Sequence, residues 1–340
     1  MPPAGSVGNP NGHATVPTEA ALVDVSHPTT VIGSGTPASC TSAAVVAAVK
    51  KGGVVTFDCG PTPVTITMTE TAKVVNANER LVIDGGGKVT LSGEGKRRIL
   101  YQDTCDQAQG WTTSHCDDQA TPLLVLQNLT FADGNSSATD DRGGGAVLVG
   151  GGQGKVINSR FVRNTCNTTG PDVAGGALRL IMTTAPAYIV NSTFGGSAAD
   201  ANTCSNGGAV AGLQARNIVI LNSLFTNNAA VGRGANPARS GTPGGGNGGA
   251  IYSDGMKLSL SVKGSLVQDN TANEGGGAIF YTSNDGQGPL FLIDSSVLRH
   301  NPDTPWMNTP GMFVKGTKEY GQEPLTMDML KRYLPNTTIE

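Results

Sequence analysis

Gly207-Gly208-Ala209-Val210-Ala211-Gly212-Leu213-Gln214-Ala215-Arg216-Asn217-Ile218-Val219-Ile220-Leu221-Asn222-Ser223-Leu224-Phe225-Thr226-Asn227-Asn228 is the stretch from which the fold can be read. It opens on Gly-Gly-Ala plus an aliphatic residue and closes on Asn-Ser-x-Phe. Both ends recur along the chain. The first is repeated at 144–147, 175–178, 248–251 and 276–279, the last within a run of three glycines. The second is repeated at 158–161 and 191–194 and, with Leu in place of Ser, at 128–131, with weaker copies at 264–267 and 294–297. Ala146, Ala177, Ala209, Ala250 and Ala278 follow one another at 31, 32, 41 and 28 residues. Two motifs interleaved in phase are an internal repeat, and a period of this size means a stacked architecture.

Each unit is too short for a helical crossover between two strands and has no helical period. Two residues before each Asn stand Leu126, Val156, Ile189, Ile220, Val262 and Leu292; four before stand Leu124, Ile218, Leu260 and Leu290. Apolar positions at period 2 mark one buried face of a strand. The same parity turns the Asn inward, where stacked copies form an amide ladder, and Phe131, Phe161, Phe194 and Phe225 return to the core as a stack. The expected fold is all-β, a single-stranded right-handed parallel β-helix. Residues 39–51 are expected to form an N-terminal capping helix, with a Ser or Thr cap and a cationic last turn. Early strands follow at 53–57, 64–68, 81–83 and 88–91. The expected organisation is an N-terminal extension (1–38), the β-helix (39–315) and a C-terminal cap or tail (316–340) with a helix at 325–334.

Composition agrees. The 340 residues include 48 Gly, with only 14% charged and 5% aromatic residues, which favours turns over helices. A net charge of −3 gives no basic footprint for nucleic acid. No apolar run reaches the roughly 18 residues of a membrane span, and the start lacks the features of a signal peptide. Six cysteines without a Cys-x-x-Cys pair fit an oxidising compartment. Neighbour pairing gives Cys40–Cys59, Cys105–Cys116 and Cys166–Cys204, in a secreted protein whose signal peptide has been removed.

The paired signatures Gly-Gly-Ala-aliphatic and Phe-x-x-Asn (Phe161…Asn164, Phe225…Asn228) resemble the pectate-lyase-like parallel β-helix superfamily. They are similar to the repeats of chlamydial polymorphic outer-membrane proteins and of uncharacterised secreted actinobacterial β-helix proteins. The resemblance covers about residues 39–314 and implies the fold. It does not fix the chemistry. Asn-Thr-Asp with Gly-His-Gly, as in polygalacturonases, and Asp-Pro-His-Glu, as in alginate epimerases, are both absent.

Three constellations are candidates for function. Asp141 and Asp172 each stand five residues before a repeat Ala, so stacking brings them about 4.8 Å apart, with Arg142 near and Arg179 on the adjoining strand. Such carboxylates hold Ca²⁺ or do acid–base work, or simply accept turn N–H groups. An Arg beside a metal-bound uronate is what the resemblance to β-eliminating lyases implies. The insertion 101–121, closed by Cys105–Cys116, carries Asp103, Asp106, Trp111, His115, Asp117 and Asp118, and either overhangs a sugar groove or is a lid. The outward column Leu148, Arg179, Ala211, Tyr252 and Phe280 offers aromatics for sugar stacking or a protein partner. The insertion 231–247 lacks Gly-Lys-Ser/Thr and is not a phosphate loop.

The expected function is a secreted or surface protein that binds a polysaccharide or surface glycan, or mediates adhesion. The alternative is a polysaccharide lyase or related enzyme acting on an acidic glycan, with Ca²⁺ as its cofactor. Beside the turns, Ile157, Val190, Leu221, Ile293, Tyr188, Val219 and Phe291 point outward yet are apolar. A patch of that kind is an interaction surface. It calls for cover by residues 1–37, by the C-terminal tail, or by a second copy in an oligomer.

Overall fold

The computed structural model describes residues 7–110, 112–140, 142–233, 244–302 and 309–340. Its strands form a 16-stranded, an 8-stranded and a 3-stranded sheet. Strand pairing among the described residues is parallel, apart from a single antiparallel bridge between Lys315 and Pro324, and joins each repeat to the next: Ile189 lies between Val156 and Ile220, and Arg179 between Leu148 and Ala211. Strands far apart in sequence are therefore neighbours in space, as a β-helix requires.

Each motif has a mechanical reason. At Gly207 the backbone takes φ +54, a left-handed turn that glycine adopts without strain. At Gly208 a Cβ would stand 2.3 Å from the Gly249 carbonyl oxygen of the next rung, so no side chain fits. Ala209 then points into the core with no exposure. A strand such as Val210–Leu213 follows, and after a corner Asn217–Leu221. Asn128, Asn158, Asn191 and Asn222 sit at the next corner with φ between +46 and +54. Asn tolerates that conformation better than most residues.

That left-handed residue shifts the alternation by one, which corrects the expectation that these Asn side chains form the inner ladder. The residue after each of them faces inward instead. Ser159, Ser192, Ser223, Ser265 and Ser296 are buried, and each backbone N–H of the first four is capped by the hydroxyl of the next rung at 3.0–3.2 Å. The amide ladder lies beyond the Phe column, three residues after Phe161, Phe225, Val267 and Leu298 and eight after Phe194. Asn164, Asn202, Asn228, Asn270 and Asn301 are buried and joined amide to amide at 2.9–3.0 Å. Each Nδ2 also donates to a main-chain carbonyl, as Asn228 does to Phe194 at 3.0 Å. Between the two ladders Phe131, Phe161, Phe194 and Phe225 stack face to face, with centroids 4.7–4.9 Å apart.

In the last rung the parity expected from sequence fails. Register pairs Leu260 with Phe291 and Val262 with Ile293, so Phe291 and Ile293 are core while Leu290 and Leu292 face outward. Four consecutive apolar residues carry no alternation, and the pairing with the preceding strand chooses the face. The left-handed corner there is Ser295, one residue after Asp294.

Both chain ends are built into this frame. Helix α1 (Ser42–Lys51) is capped by Thr41, whose hydroxyl accepts from the Ala44 N–H at 3.3 Å, and it ends at Gly52. Its Val45, Ala48 and Val49 join the main core. At the other end Leu325, Leu330 and Leu334 belong to the same core, and Thr338–Ile339 pairs with Val297–Arg299. The short helix α2 (Met327–Leu330) lies between them. Three disulfides are closed, Cys40–Cys59, Cys105–Cys116 and Cys166–Cys204.

The apolar outer face is covered from within. Val54, Val82, Val125, Ile157, Tyr188, Val190 and Leu221 are buried under Ala14, Val16, Ala20, Val23 and Val25. This N-terminal strap crosses the rungs rather than pairing as a strand. Its Val23 exchanges two 3.0 Å bonds with the Gln127 amide, and its Ala14 two 2.8 Å bonds with the Asn222 amide. Side chains that also turn the corners thus hold the strap.

Two outcomes follow from these contacts. Asn228→Ala breaks the ladder in both directions and strands buried polar groups, so urea unfolding should show a loss of about 2–3 kcal/mol; Asn158→Ala, at the half-buried corner, should cost clearly less. Deleting residues 1–27 should raise the fluorescence of a dye that binds apolar surface and promote self-association by light scattering. A deletion protein that stays monomeric with unchanged dye binding contradicts the covering role.

Candidate functional site

On the outer face of the 8-stranded sheet, register stacks Lys73, Tyr101, Leu148, Arg179, Ala211, Tyr252, Phe280 and Phe313 in one column. Its middle is not the open face expected from alternation: Leu148, Arg179, Ala211 and Tyr252 are all buried. Alternation tells which residues point away from the core but not what lies beyond them. Here the turns that open each rung fold back over the column. A Cβ at Gly144 would stand 3.0 and 3.1 Å from those of Arg179 and Leu148, and one at Gly207 would stand 2.9 and 3.0 Å from those of Ala211 and Tyr252. Tyr252 stacks on the half-buried Phe280 at 5.2 Å and donates its hydroxyl proton to Asp254 Oδ2 at 3.0 Å. The aromatic end of the column is therefore packed.

Beside the column lies a cleft of about 530 Å³. Its floor is the next outward row, Asp103, Gly150, Ile181 and Leu213, which the parallel register aligns. Cys105, Ser114, Cys116 and Asp117 of the disulfide-tied loop form one wall; Arg142, Asp172, Arg179 and Met182 contribute the rest. The structure thus brings Arg142, Arg179, Asp172 and Asp117 together. It leaves His115 and Asp118 outside the cleft, exposed and 4.0 Å apart. Tyr252 and Phe280 do not line it either. Trp111 and Asp141 lie outside the described residues, and with Asp141 the proposed Asp141–Asp172 calcium pair. Among the described residues no cluster of three His, Cys, Asp or Glu side chains is gathered to hold a metal ion.

The two arginines are held differently. Arg142 is fully engaged: its guanidinium pairs with Asp103, donates to the Tyr101 hydroxyl at 2.8 Å, and sits 5.4 Å from the Tyr101 ring centre. Burial disfavours its charge, but the bonds to Asp103 and Tyr101 outweigh burial and raise its pKa. Burial likewise pushes the Tyr101 phenol well above its ordinary value. Behind them is a residue that the sequence reading missed. Arg98 is wholly buried, grips both carboxylate oxygens of Asp140 at 2.9 and 2.7 Å, and donates to the Gly143 and Gly144 carbonyls. Its rung lacks Gly-Gly-Ala, so only the alignment of Leu100 with Val147 could have set Arg98 level with Gly145.

Arg179 is buried with 1% exposure, and its one hydrogen bond among the described residues runs from Nη2 to the Asp172 carbonyl at 2.9 Å. Nε and Nη1 have no hydrogen-bond partner among the described residues. Burial pushes this guanidinium down to about 10. An unmatched buried cation is costly to keep.

With the rungs and the cleft in place, the comparison with known proteins can be set against them. Residues 222–254 match the Chlamydia polymorphic membrane protein repeat. The match runs from the Asn222-Ser223 corner through Gly248-Gly249-Ala250 into the following strand, one turn of the coil. No curated protein and no solved structure matches the chain. The chain is thus a β-helix protein carrying this repeat. Repeat and disulfides together fit an extracytoplasmic or surface protein. No helix among the described residues is long and apolar enough to cross a membrane.

The Arg98–Asp140 pair gives the site a pH signature. Burial raises the Asp140 pKa, but the bonds and charge of Arg98 outweigh it and leave the carboxyl below its ordinary value. Its contribution to stability is complete above the unfolded-state pKa, near about 4, and is lost as pH falls through the lower folded value. Asp140→Asn should therefore lower Tm at pH 7 and flatten the fall of Tm between about pH 4 and pH 2. An unchanged acid limb in the variant contradicts the pairing.

Proposed function

We propose that this is a secreted or surface-displayed PMP-repeat β-helix protein that binds a polysaccharide or surface glycan through the cleft between the Cys105–Cys116 loop and the 8-stranded sheet. The reading takes the coil as single-stranded and right-handed, the hand that parallel strand crossovers adopt almost without exception. In it α1 caps the first rung, residues 39–315 form the solenoid, 1–38 the extension and 316–340 the closing cap.

One observation carries the reading. The cleft combines an apolar floor of Ile181, Met182 and Leu213 with the convergent polar groups of Arg142, Asp172, Arg179 and Asp117. That is the composition of a small-ligand site, and its volume lies in the range of such sites. Apolar surface suits the C–H face of a sugar ring, and polar rim groups suit its hydroxyls. Anchoring the site on a continuous sheet keeps it rigid.

Burial of the Arg179 guanidinium favours a second reading, that of a polysaccharide lyase. A guanidinium pushed down to about 10 holds its proton less firmly than an ordinary arginine. Affinity electrophoresis of the protein through gels containing a panel of plant, algal and bacterial polysaccharides tests the binding reading. At least one should retard it, and Leu213→Trp, which fills the cleft, should abolish that retardation at unchanged Tm. Absorbance from unsaturated products in the same panel would establish the lyase instead. No retardation and no product with any polysaccharide overturns both.

A further inference from the structure

Among the described residues several buried neutral oxygens lack a hydrogen-bond partner, Ser136, Thr183 and Ser253 among them, but the only charged side chain with such atoms is Arg179. Arg98, equally buried on a neighbouring rung, has four acceptors: two oxygens of Asp140 and two carbonyls. Arg142 has a carboxylate, a phenol and an aromatic face. Arg179 has one carbonyl, and its remaining Nε and Nη1 donors meet no acceptor among the described residues. Asp103, the acidic residue on the cleft floor, is committed to Arg142. The Asp172 residue beside Arg179 offers its main-chain oxygen, while its side chain lies at the exposed rim.

Nε and Nη1 lie on different edges of the guanidinium, and each edge is completed by Nη2, whose second N–H is not used in its bond to the Asp172 carbonyl, so either edge can take one planar or tetrahedral oxyanion. A neutral hydroxyl would satisfy one donor and add nothing to the partial compensation that the charges of Asp172 and Asp254 provide. The aliphatic floor next to the guanidinium (Ile181 and Leu213) is suited to a ring rather than to a bare ion.

We propose that Arg179 is the anchor for an anionic substituent, a carboxylate or sulfate ester, on a pyranose ring lying on Ile181 and Leu213, bound directly to the guanidinium without a bridging metal ion. The inference rests on the carbohydrate reading above and narrows its ligand. It also makes a claim about stability. A cation kept buried for a ligand destabilises the free protein, so replacing it with an apolar side chain of similar length stabilises the fold while destroying binding.

The experiment uses the full chain, wild type and Arg179→Met, with Arg179→Lys as the conservative variant. Thermal denaturation and titration calorimetry are run in EDTA and repeated with CaCl₂. Four probes are compared: trigalacturonate, galactose 6-sulfate, neutral galactotriose and inorganic sulfate. The expected result is an anion-dependent rise of wild-type Tm, unaffected by EDTA, with the favoured probe separating carboxylate from sulfate. Arg179→Met should weaken binding of that probe at least tenfold while its own ligand-free Tm equals or exceeds that of the wild type. Arg179→Lys, which keeps the charge but not the fork, should retain part of the affinity.

A lower ligand-free Tm in Arg179→Met shows a structural role and overturns the inference, as does binding that requires Ca²⁺. If neutral and anionic sugars bind alike and Arg179→Met binds both, the anchor is wrong and the carbohydrate reading stands. If inorganic sulfate binds in an Arg179-dependent manner and no sugar binds better, the anion site stands and the glycan is wrong. No response to any anionic probe overturns the inference outright.

Discussion

The constraint on which this molecule depends is the fate of the main chain at its corners. A parallel coil must bend several times in every turn, and each bend leaves N–H and C=O groups facing a dry interior. Uncompensated, each such group costs about as much as a lost hydrogen bond. The chain meets this with columns of like residues: buried Ser hydroxyls at one corner, buried Asn amides at the next. Because every rung supplies the acceptor for its neighbour, the ladders work only in stacked copies. The Phe column between them adds apolar area with the same spacing. Repetition in sequence is the consequence, since one rung can solve the problem only if the next solves it in the same way.

A stack of this kind has exposed flanks, and segments outside the rungs pack against it. Helix α1 and the Leu325–Leu330–Leu334 group enter the main core at opposite ends of the chain. The strap 14–25 shields the flank on which Tyr188, Val190 and Leu221 point away from the core. It is tied down by Gln127 and Asn222, at corners where the ladder chemistry already places amides near the surface. Corner residues therefore serve a second purpose, joining successive rungs to the segment that crosses them.

The cleft stands out for how differently its arginines are held. Arg98 and Arg142 are locked into a network with Asp140, Asp103 and Tyr101, which shapes one wall and keeps it rigid. Arg179, on the same wall, is left with donors to spare. Among the described residues it is the only charged side chain with buried, unpartnered atoms, and it stands at a cavity wide enough for a small ligand.

The sequence by itself determined the repeat, the parallel stacking and the inward Phe column, because these follow from spacing and side-chain type along a regular coil; neighbour pairing of the cysteines was one of several connectivities it allowed, and the structure closes it. It also required cover for the apolar flank. Only the tertiary structure decided which face each residue took beyond a corner. A single left-handed residue such as Asn158 or Asn222 shifts alternation by one, and nothing in a period-2 pattern records that shift. For the same reason the inner amides proved to be Asn164 and its successors, and Phe291 and Ile293 proved to be core. The site was legible only in part. Arg142, Arg179, Asp172 and Asp117 could be named from motif and loop, but not the burial of Arg179, the partnership of Arg98 with Asp140, or the enclosure of Tyr252. Those depend on turns of one rung folding over side chains of the next, a relation set by packing across the stack and not by distance along the chain.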